Sequence, residues 1–256
     1  MFRNSVRRIL SLLTLSFTLK LVEILRESQG FGSGAAVKTS GEIEVICRLF
    51  AEHKSEKLNF FDVGANRGEY TQALAQHFPT TTFFLFEPSP TTFSRLLSEV
   101  RSPQAVAMNF GLGKEEVDRP LYKESIHARI GSLTKFPTSD ADFTESVKIR
   151  TLDSVVHELN IDRVDLLKID VEGHELDVLR GATELLEKRA IKVIQFEFGE
   201  FNLYSRILFK DLFDFLNAYG FSIAVIKFGR LIHLENYQLR YEIFTPTNYV
   251  ATLNHP

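Results

Sequence analysis

Tryptophan is absent from this 256-residue chain, and cysteine occurs once, at Cys47. A lone thiol excludes an intrachain disulfide and any zinc centre built from several thiolates, and the seven histidines form no HxxxH or similar pair. This usage fits a reducing, cytoplasmic setting. Neither sign of charge dominates, because 30 Lys and Arg stand against 33 Asp and Glu for a net charge of −3. There is no global basic field and no clustered Arg and Lys groove, so nucleic acid is not an expected partner. Internal repeats and low-complexity tracts are missing too. What is plentiful is phenylalanine, 23 residues of it, which fills sheet and helix interfaces without needing a polar partner. With 44% hydrophobic and 25% charged residues, the chain suits one large domain.

No apolar run reaches the roughly 20 residues of a membrane-spanning helix. Residues 1–29 nevertheless stand apart from residues 30–256. Arg3, Arg7 and Arg8 precede an apolar stretch from Ile9 to Leu19, and Leu10, Leu13, Phe17, Leu21 and Ile24 recur at helical spacing. The pattern predicts an amphipathic helix. It can pack on the domain, rest on a membrane surface through its arginines, or form part of a cleaved signal, although Lys20, Glu23, Arg26 and Glu27 follow with no small-residue cleavage pattern.

Beyond the break at Gly30, Gly32, Ser33 and Gly34 the chain alternates regularly. Helices are predicted over Ile43–Phe50, Tyr70–His77, Pro90–Val100, Leu152–Leu159, Glu175–Leu186 and Phe209–Tyr219. Strands are predicted over Asn59–Val63, Thr81–Phe86, Ala105–Phe110, Val164–Val171 and Lys192–Phe198, with Phe221–Phe228, Leu231–Leu234 and Tyr241–Phe244 also extended. Such alternation implies an α/β fold, Rossmann-like and doubly wound, with helices on both faces of a mostly parallel sheet. Its ligands are expected at the carboxyl ends of the strands. Lys114 to Ser146, broken by Pro120, Gly131 and Pro137, reads as a long loop. Loops of that length are often lids, and His127, Arg129, Ser132 and Thr134 offer it polar groups for sugar hydroxyls, with Ile126, Ile130, Leu133 and Phe136 as apolar anchors.

The stretch FFDVGANRGEYTQAL, Phe60 to Leu74, closes a strand on Asp62 and crowds Gly64, Asn66 and Gly68 into a turn before a helix. Glycines there let a ligand approach the backbone at a helix N-terminus. The spacing is neither the dinucleotide GxGxxG nor a phosphate loop, and the Asp62 carboxylate repels a pyrophosphate. A cationic, hydroxyl-bearing ligand fits better, and S-adenosylmethionine supplies an amino group and a sulfonium. Glu87, 25 residues on, ends the second strand where a carboxylate accepts both hydroxyls of a ribose.

A second constellation is KIDVEGHE, Lys168 to Glu175. The period of two puts Asp170 and Glu172 on one side of the strand, and Gly173 releases the chain toward His174. Glu197 closes the neighbouring strand. Asp170, Glu172, His174 and Glu197 are therefore the catalytic candidates. A carboxylate or His174 can take a proton from a hydroxyl acceptor, and Asp170 with Glu172 can offer hard oxygen ligands to magnesium.

These segments resemble the FkbM-type methyltransferases, S-adenosylmethionine-dependent enzymes that mostly methylate hydroxyl oxygens on sugars, polyketides and related metabolites. The resemblance is carried by FDVGANRGEYT at Phe61 to Thr71, LFEPSPTTFSRL at Leu85 to Leu96, TLDSV at Thr151 to Val155, LLKIDVEGHELDVLRGA at Leu166 to Ala182 and IQFEFGEFN at Ile194 to Asn202. It implies that Asp62, Gly64, Asn66, Gly68 and Tyr70 line the methionine side of the cofactor. It also implies that Glu87 holds the ribose and that Asn109 and Gly111 lie near the adenine. The fold it implies has seven strands, the last antiparallel, and the acceptor it implies is a small-molecule or glycan hydroxyl. N-methylation of a small amine and a catalytically inactive, cofactor-binding partner subunit are the competing readings.

Overall fold

The structure is a computed structural model that describes residues 14–32, 37, 40–125, 128, 130–135 and 143–254. Helix α1 spans Leu15–Glu27 and α2 spans Glu42–Leu49, followed by strand β1 at Asn59–Val63. Then come α3 (Glu69–Ala75), β2 (Thr82–Phe86), α4 (Pro90–Glu99), β3 (Ala105–Met108) and β4 (Gly111–Leu112). Strands β5 (Val117–Lys123), β6 (Gly131–Ser132) and β7 (Phe143–Arg150) precede α5 (Leu152–Glu158) and β8 (Val164–Ile169). The remainder is α6 (Glu175–Arg180), α7 (Thr183–Glu187), β9 (Ile191–Phe198), α8 (Glu200–Ser205), α9 (Phe209–Ala218), β10 (Phe221–Lys227), β11 (Arg230–Leu234) and β12 (Thr247–Leu253).

Eight strands form the main sheet, in the order β11-β10-β12-β9-β8-β1-β2-β3. Strands β3, β2, β1, β8 and β9 pair in parallel, and β12 enters antiparallel between β9 and β10. The chain winds outward from β1 to β3 on one side and resumes on the other at β8. The carboxyl ends of β1 and β8 are thus the switch point where such sheets bind ligands. The expected α/β sheet is present with one strand more than seven, because β11 adds an antiparallel edge through a tight hairpin. That turn places Phe228 and Gly229 at positive φ, the geometry that matches strand twist.

Side chains alternate across each strand, so the sheet has two cores. One face of β1, β2, β8, β9 and β10 packs on α5, α6, α7 and α9, and the other packs on α2, α3 and α4. Phenylalanine dominates where the layers meet, with Phe60 tilted or edge-on to Phe50, Phe78 and Phe83 at centroid distances of 5.0, 5.2 and 5.7 Å.

Four expectations need correction. Lys114 to Ser146 is not a long loop, because it contains most of a second sheet of order β4-β7-β5-β6. Pro120 hid it, yet Pro120 pairs with Ser146 of β7, and among the described residues β6 pairs with β5 only at Tyr122 and Lys123, so Pro120 lies beyond the reach of β6. Ile126, His127, Arg129 and Phe136 lie outside the described residues. Glu175–Leu186 is two helices, since a Cβ at Gly181 would stand 2.0 Å from the Gly113 carbonyl oxygen and the chain breaks there to let that backbone approach. Tyr241–Phe244 is not a strand but follows a 3-10 turn at Leu239–Tyr241, and the last strand is Thr247–Leu253. Finally, of the settings left open for the N-terminal helix, packing on the domain is the one α1 does not show: none of its residues is buried, and Leu15, Phe17, Leu19, Ile24 and Leu25 are exposed. Arg3, Arg7, Arg8, Leu10 and Leu13 lie outside the described residues. Among the described residues, no helix is long and apolar enough to cross a membrane.

Phe60→Ala should cost about 3 to 5 kcal/mol of stability in urea unfolding, the range for emptying a well-packed aromatic site. A loss below about 1 kcal/mol would mean the aromatic layer is not the packing centre described.

Candidate active site

Strand register builds the site. Pairing sets Asp62 of β1 beside Lys168 of β8, and Lys168 beside Gln195 of β9, which makes a polar row across the face that packs on α2 and α3. All three side chains are buried, so each needs a partner. Lys168 Nζ lies 3.3 Å from Asp62 Oδ1 and donates to Asp170 Oδ2 at 3.2 Å, and it sits 5.2 Å from the centre of the Tyr70 ring. Thr71 donates to Asp62 Oδ2 at 2.8 Å, Tyr70 donates its hydroxyl to Gln195 Oε1 at 2.7 Å, and Gln195 donates to Glu42. Burial opposes the lysine's charge, but Asp170, Asp62 and Glu42 more than restore it, so its pKa is held above the ordinary value. Burial pushes Glu42 the other way for an acid, up to about 7. Tyr70, expected to line the methionine side, spends its hydroxyl on this network.

The turn after β1 is tied to the end of β2. The amides of Gly64 and Ala65 both donate to the Phe86 carbonyl at 3.0 Å, and the amide of Asn66 donates to Glu87 Oε2 at 3.0 Å. Ser89 donates its amide to Glu87 Oε1 at 2.9 Å. Gly64 is required by packing, since at φ +81° its Cβ would fall 1.8 Å from the Asp170 carbonyl oxygen. Gly68 likewise has positive φ, and its Cβ would meet Val100 at 2.2 Å. The glycines therefore bring β1, β8 and α4 together, where an approach of ligand to backbone was expected. Asn109 donates its amide to the carbonyls of Glu87 and Pro88 at 2.9 and 3.1 Å and so braces this turn, with Gly111 packed under Pro88. Glu87 is itself buried, which pushes its pKa up to about 7. Each of its oxygens accepts one amide and keeps a second lone pair.

Three of the four catalytic candidates converge. Asp170, Glu172 and Glu197 each offer an oxygen, and these oxygens lie within 4.8 Å of one another. Burial, then repulsion from Asp170, Glu172 and Glu175, pushes Glu197 up to about 10. Burial followed by Asp170 and Glu175 also raises Glu172 well above the carboxylate range. His174 is not in this group: Thr134 Oγ1 lies 3.0 Å from its Nε2, and Asp177 3.5 Å from its Nδ1. Ser132 donates to the Glu172 carbonyl at 2.8 Å, so the two hydroxyls expected to meet sugar instead fasten β6 to the KIDVEGHE turn.

Lys168, Glu175 and Asn202 are among the positions that escaped the sequence reading as site builders. Glu172 holds positive φ at 55°, an uncommon conformation for a side-chain-bearing residue, and Glu175 clamps it. The buried Glu175 carboxylate accepts from the amides of Val171 at 3.3 Å and Gly173 at 3.1 Å on one oxygen and from Asn202 Nδ2 at 2.7 Å on the other. Asn202 also accepts from the Gly199 amide at 2.9 Å, which links the turn bearing Glu172 to the end of the strand bearing Glu197. A polar pair, EGHE and EFN, spaced across two strand ends was the available signal.

Asp62, Asp170, Glu172 and Glu197 thus crowd the strand ends around the Lys168 ammonium, and Glu87 stands at the end of the next strand, β2. The set suits a cation carrying an ammonium, a sulfonium and a ribose. It suits magnesium less well, because Asp170, one of the two expected ligands, already holds the lysine, and a fixed ammonium beside the site opposes a divalent ion.

The chain matches the Methyltransferase FkbM domain over residues 62–223. It is 31% identical over 194 residues to the hexuronic acid methyltransferase AglP of Haloferax volcanii, covering 74% of this chain and 74% of that protein. It is 25% identical over 214 residues to the 2-O-methyltransferase NoeI of Sinorhizobium fredii, covering 78% and 87%. Among solved structures the METTL16 MTase domain is similar in fold, with a TM-score of 0.50 at 12% identity over 84% of this chain and 67% of that one.

Lys168→Met should destabilise the protein by about 3 to 5 kcal/mol, because it strands buried carboxylates. Adding Asp62→Asn should recover part of that loss in urea unfolding. If the single variant is as stable as the parent, the lysine is not the counter-charge described.

Proposed function

This chain belongs to the FkbM methyltransferase family, and from that premise we propose that it is an S-adenosylmethionine-dependent O-methyltransferase acting on a hydroxyl of a sugar or glycan. The observation that carries the reading is the carboxylate group of Asp170, Glu172 and Glu197 at the ends of adjacent strands. The names of two relatives, a hexuronic acid methyltransferase and a 2-O-methyltransferase, favour oxygen over nitrogen and sugar over other acceptors.

When bound, the cofactor supplies an electrophilic methyl group on sulfur and leaves as S-adenosylhomocysteine. The residues do the rest. Glu87 accepts the ribose hydroxyls on its remaining lone pairs, and Asp62 with Asp170, both in contact with Lys168, faces the amino acid end of the cofactor with carboxylate oxygens. The acceptor oxygen must approach in line with the bond that breaks. Its proton passes to a carboxylate of the Glu172 and Glu197 pair. Of these we assign Glu197, on the strand next to Lys168, because a carboxylate with so raised a pKa is a stronger base once ionised. A cation arriving beside it favours that ionised form. Glu175 and Asn202 keep the two strand ends in register through the reaction.

With S-adenosylmethionine and uronic-acid-containing saccharides, we expect S-adenosylhomocysteine together with a methyl ether on the sugar. Glu197→Gln should lower turnover about a hundredfold or more, a loss much larger than any change in affinity for S-adenosylhomocysteine, whose sulfur carries no charge. The parent rate should rise with pH as its base ionises. A methyl group found on an amine, no S-adenosylhomocysteine with any saccharide, or full turnover by Glu197→Gln would each contradict the assignment.

A further inference from the structure

The second sheet meets the main one through buried charge. Lys123 of β5, only 3% exposed, donates from Nζ to Ser89 Oγ and Thr92 Oγ1, both at 3.2 Å. Glu145 of β7 accepts from the hydroxyls of Ser89 and Thr91, the latter at 2.6 Å, and from the Thr91 amide at 3.4 Å. The two charges are 3.7 Å apart. Ser89 is the common member. Its Oγ donates to Glu145 and accepts from Lys123 and from the Thr92 amide at 3.2 Å, and its own amide holds Glu87.

Capping alone does not explain this arrangement. A carboxylate at the start of α4 is favourable, but an ammonium there is not, and burying a lysine beside a helix N-terminus needs a further reason. Glu87 supplies one, since Glu145, bound to the same Ser89, would otherwise set a second negative charge against the buried Glu87 carboxylate. Lys123 cancels that repulsion while gripping the same serine that holds the Glu87 oxygen.

We propose that Lys123 and Glu145 are cofactor-positioning residues that act through Ser89 to hold the Glu87 carboxylate where it receives the ribose hydroxyls. The second sheet is then part of the nucleoside site. The inference rests on the cofactor reading above and adds to it two residues that touch neither cofactor nor acceptor.

The charges that face Glu87 make the test specific. Burial raises its pKa most, the Ser89 and Asn66 amides lower it, Lys123 lowers it and Glu145 raises it. Ribose hydroxyls donate to the ionised carboxylate, so affinity should increase with pH through about 7. Calorimetric titration with S-adenosylhomocysteine from about pH 5.5 to about pH 8.5 reads this profile. Lys123→Met should move the rise to higher pH and weaken binding at neutral pH by about tenfold. Glu145→Gln should move it to lower pH. A purely structural role would weaken both variants alike at every pH, and that result, or unmoved profiles, would overturn the inference while leaving cofactor binding intact. Should Lys123→Met fail to fold, Ser89→Ala cuts the chain at its middle without stranding a charge. It should then bind several-fold more weakly, and parent-like affinity would again overturn the proposal. No binding by the unaltered protein would sink the cofactor reading and this inference together.

Discussion

One ammonium group organises the carboxyl ends of this sheet. Lys168 stands between Asp62 and Asp170, on the strands that flank the switch point, and without it β1 and β8 would bring two acids together at their ends. Parallel register makes the contact inevitable, since Asp62 pairs with Lys168 and Lys168 with Gln195. The consequences run outward from there. Tyr70 covers the lysine and hands its hydroxyl to Gln195, which in turn holds Glu42, so the helices before and after β1 are fixed by the same charge. A buried ion group of this kind stabilises little by itself and is costly to break. Its value is that it fixes where acids face the ligand.

Around that centre, each loop of the site is held by a partner that does no chemistry. The turn after β1 spends its amides on Phe86 and Glu87. The KIDVEGHE turn is clamped from below by Glu175 and Asn202 and from the side by Ser132 and Thr134. The turn after β2 is held by Asn109 and by the Lys123 and Glu145 pair. Positions are thus fixed before any ligand arrives, the condition under which electrostatic catalysis is effective.

Much of this was legible in the chain. Strand and helix alternation and the placing of Asp62 and Glu87 at strand ends follow from period and position, whereas β8 ends at Ile169 and Glu172 comes beside Asp170 and Glu197 through a turn at positive φ, not through the period of two. Three further features did not follow. Strand β5 carries Pro120 and a largely exposed face, so neither alternation nor composition marked it as sheet. The glycines of the first turn look like room for a ligand, but the space they leave is taken by the Asp170 carbonyl and Val100, neighbours set by long-range register. His174 lies within the motif, yet the positive φ at Glu172 and Gly173 swings it onto Thr134 and Asp177. Local pattern reports which face a residue occupies, while tertiary contact decides what fills the opposite side.

A crystal structure with S-adenosylhomocysteine tests the central claim most directly. The account predicts the ribose hydroxyls within hydrogen-bond distance of Glu87, the amino group on the side of Asp62 and Asp170, and the sulfur facing Glu172 and Glu197. A ligand bound away from the ends of β1, β2 and β8, or a ribose held by other residues with Glu87 still buried and untouched, would contradict it.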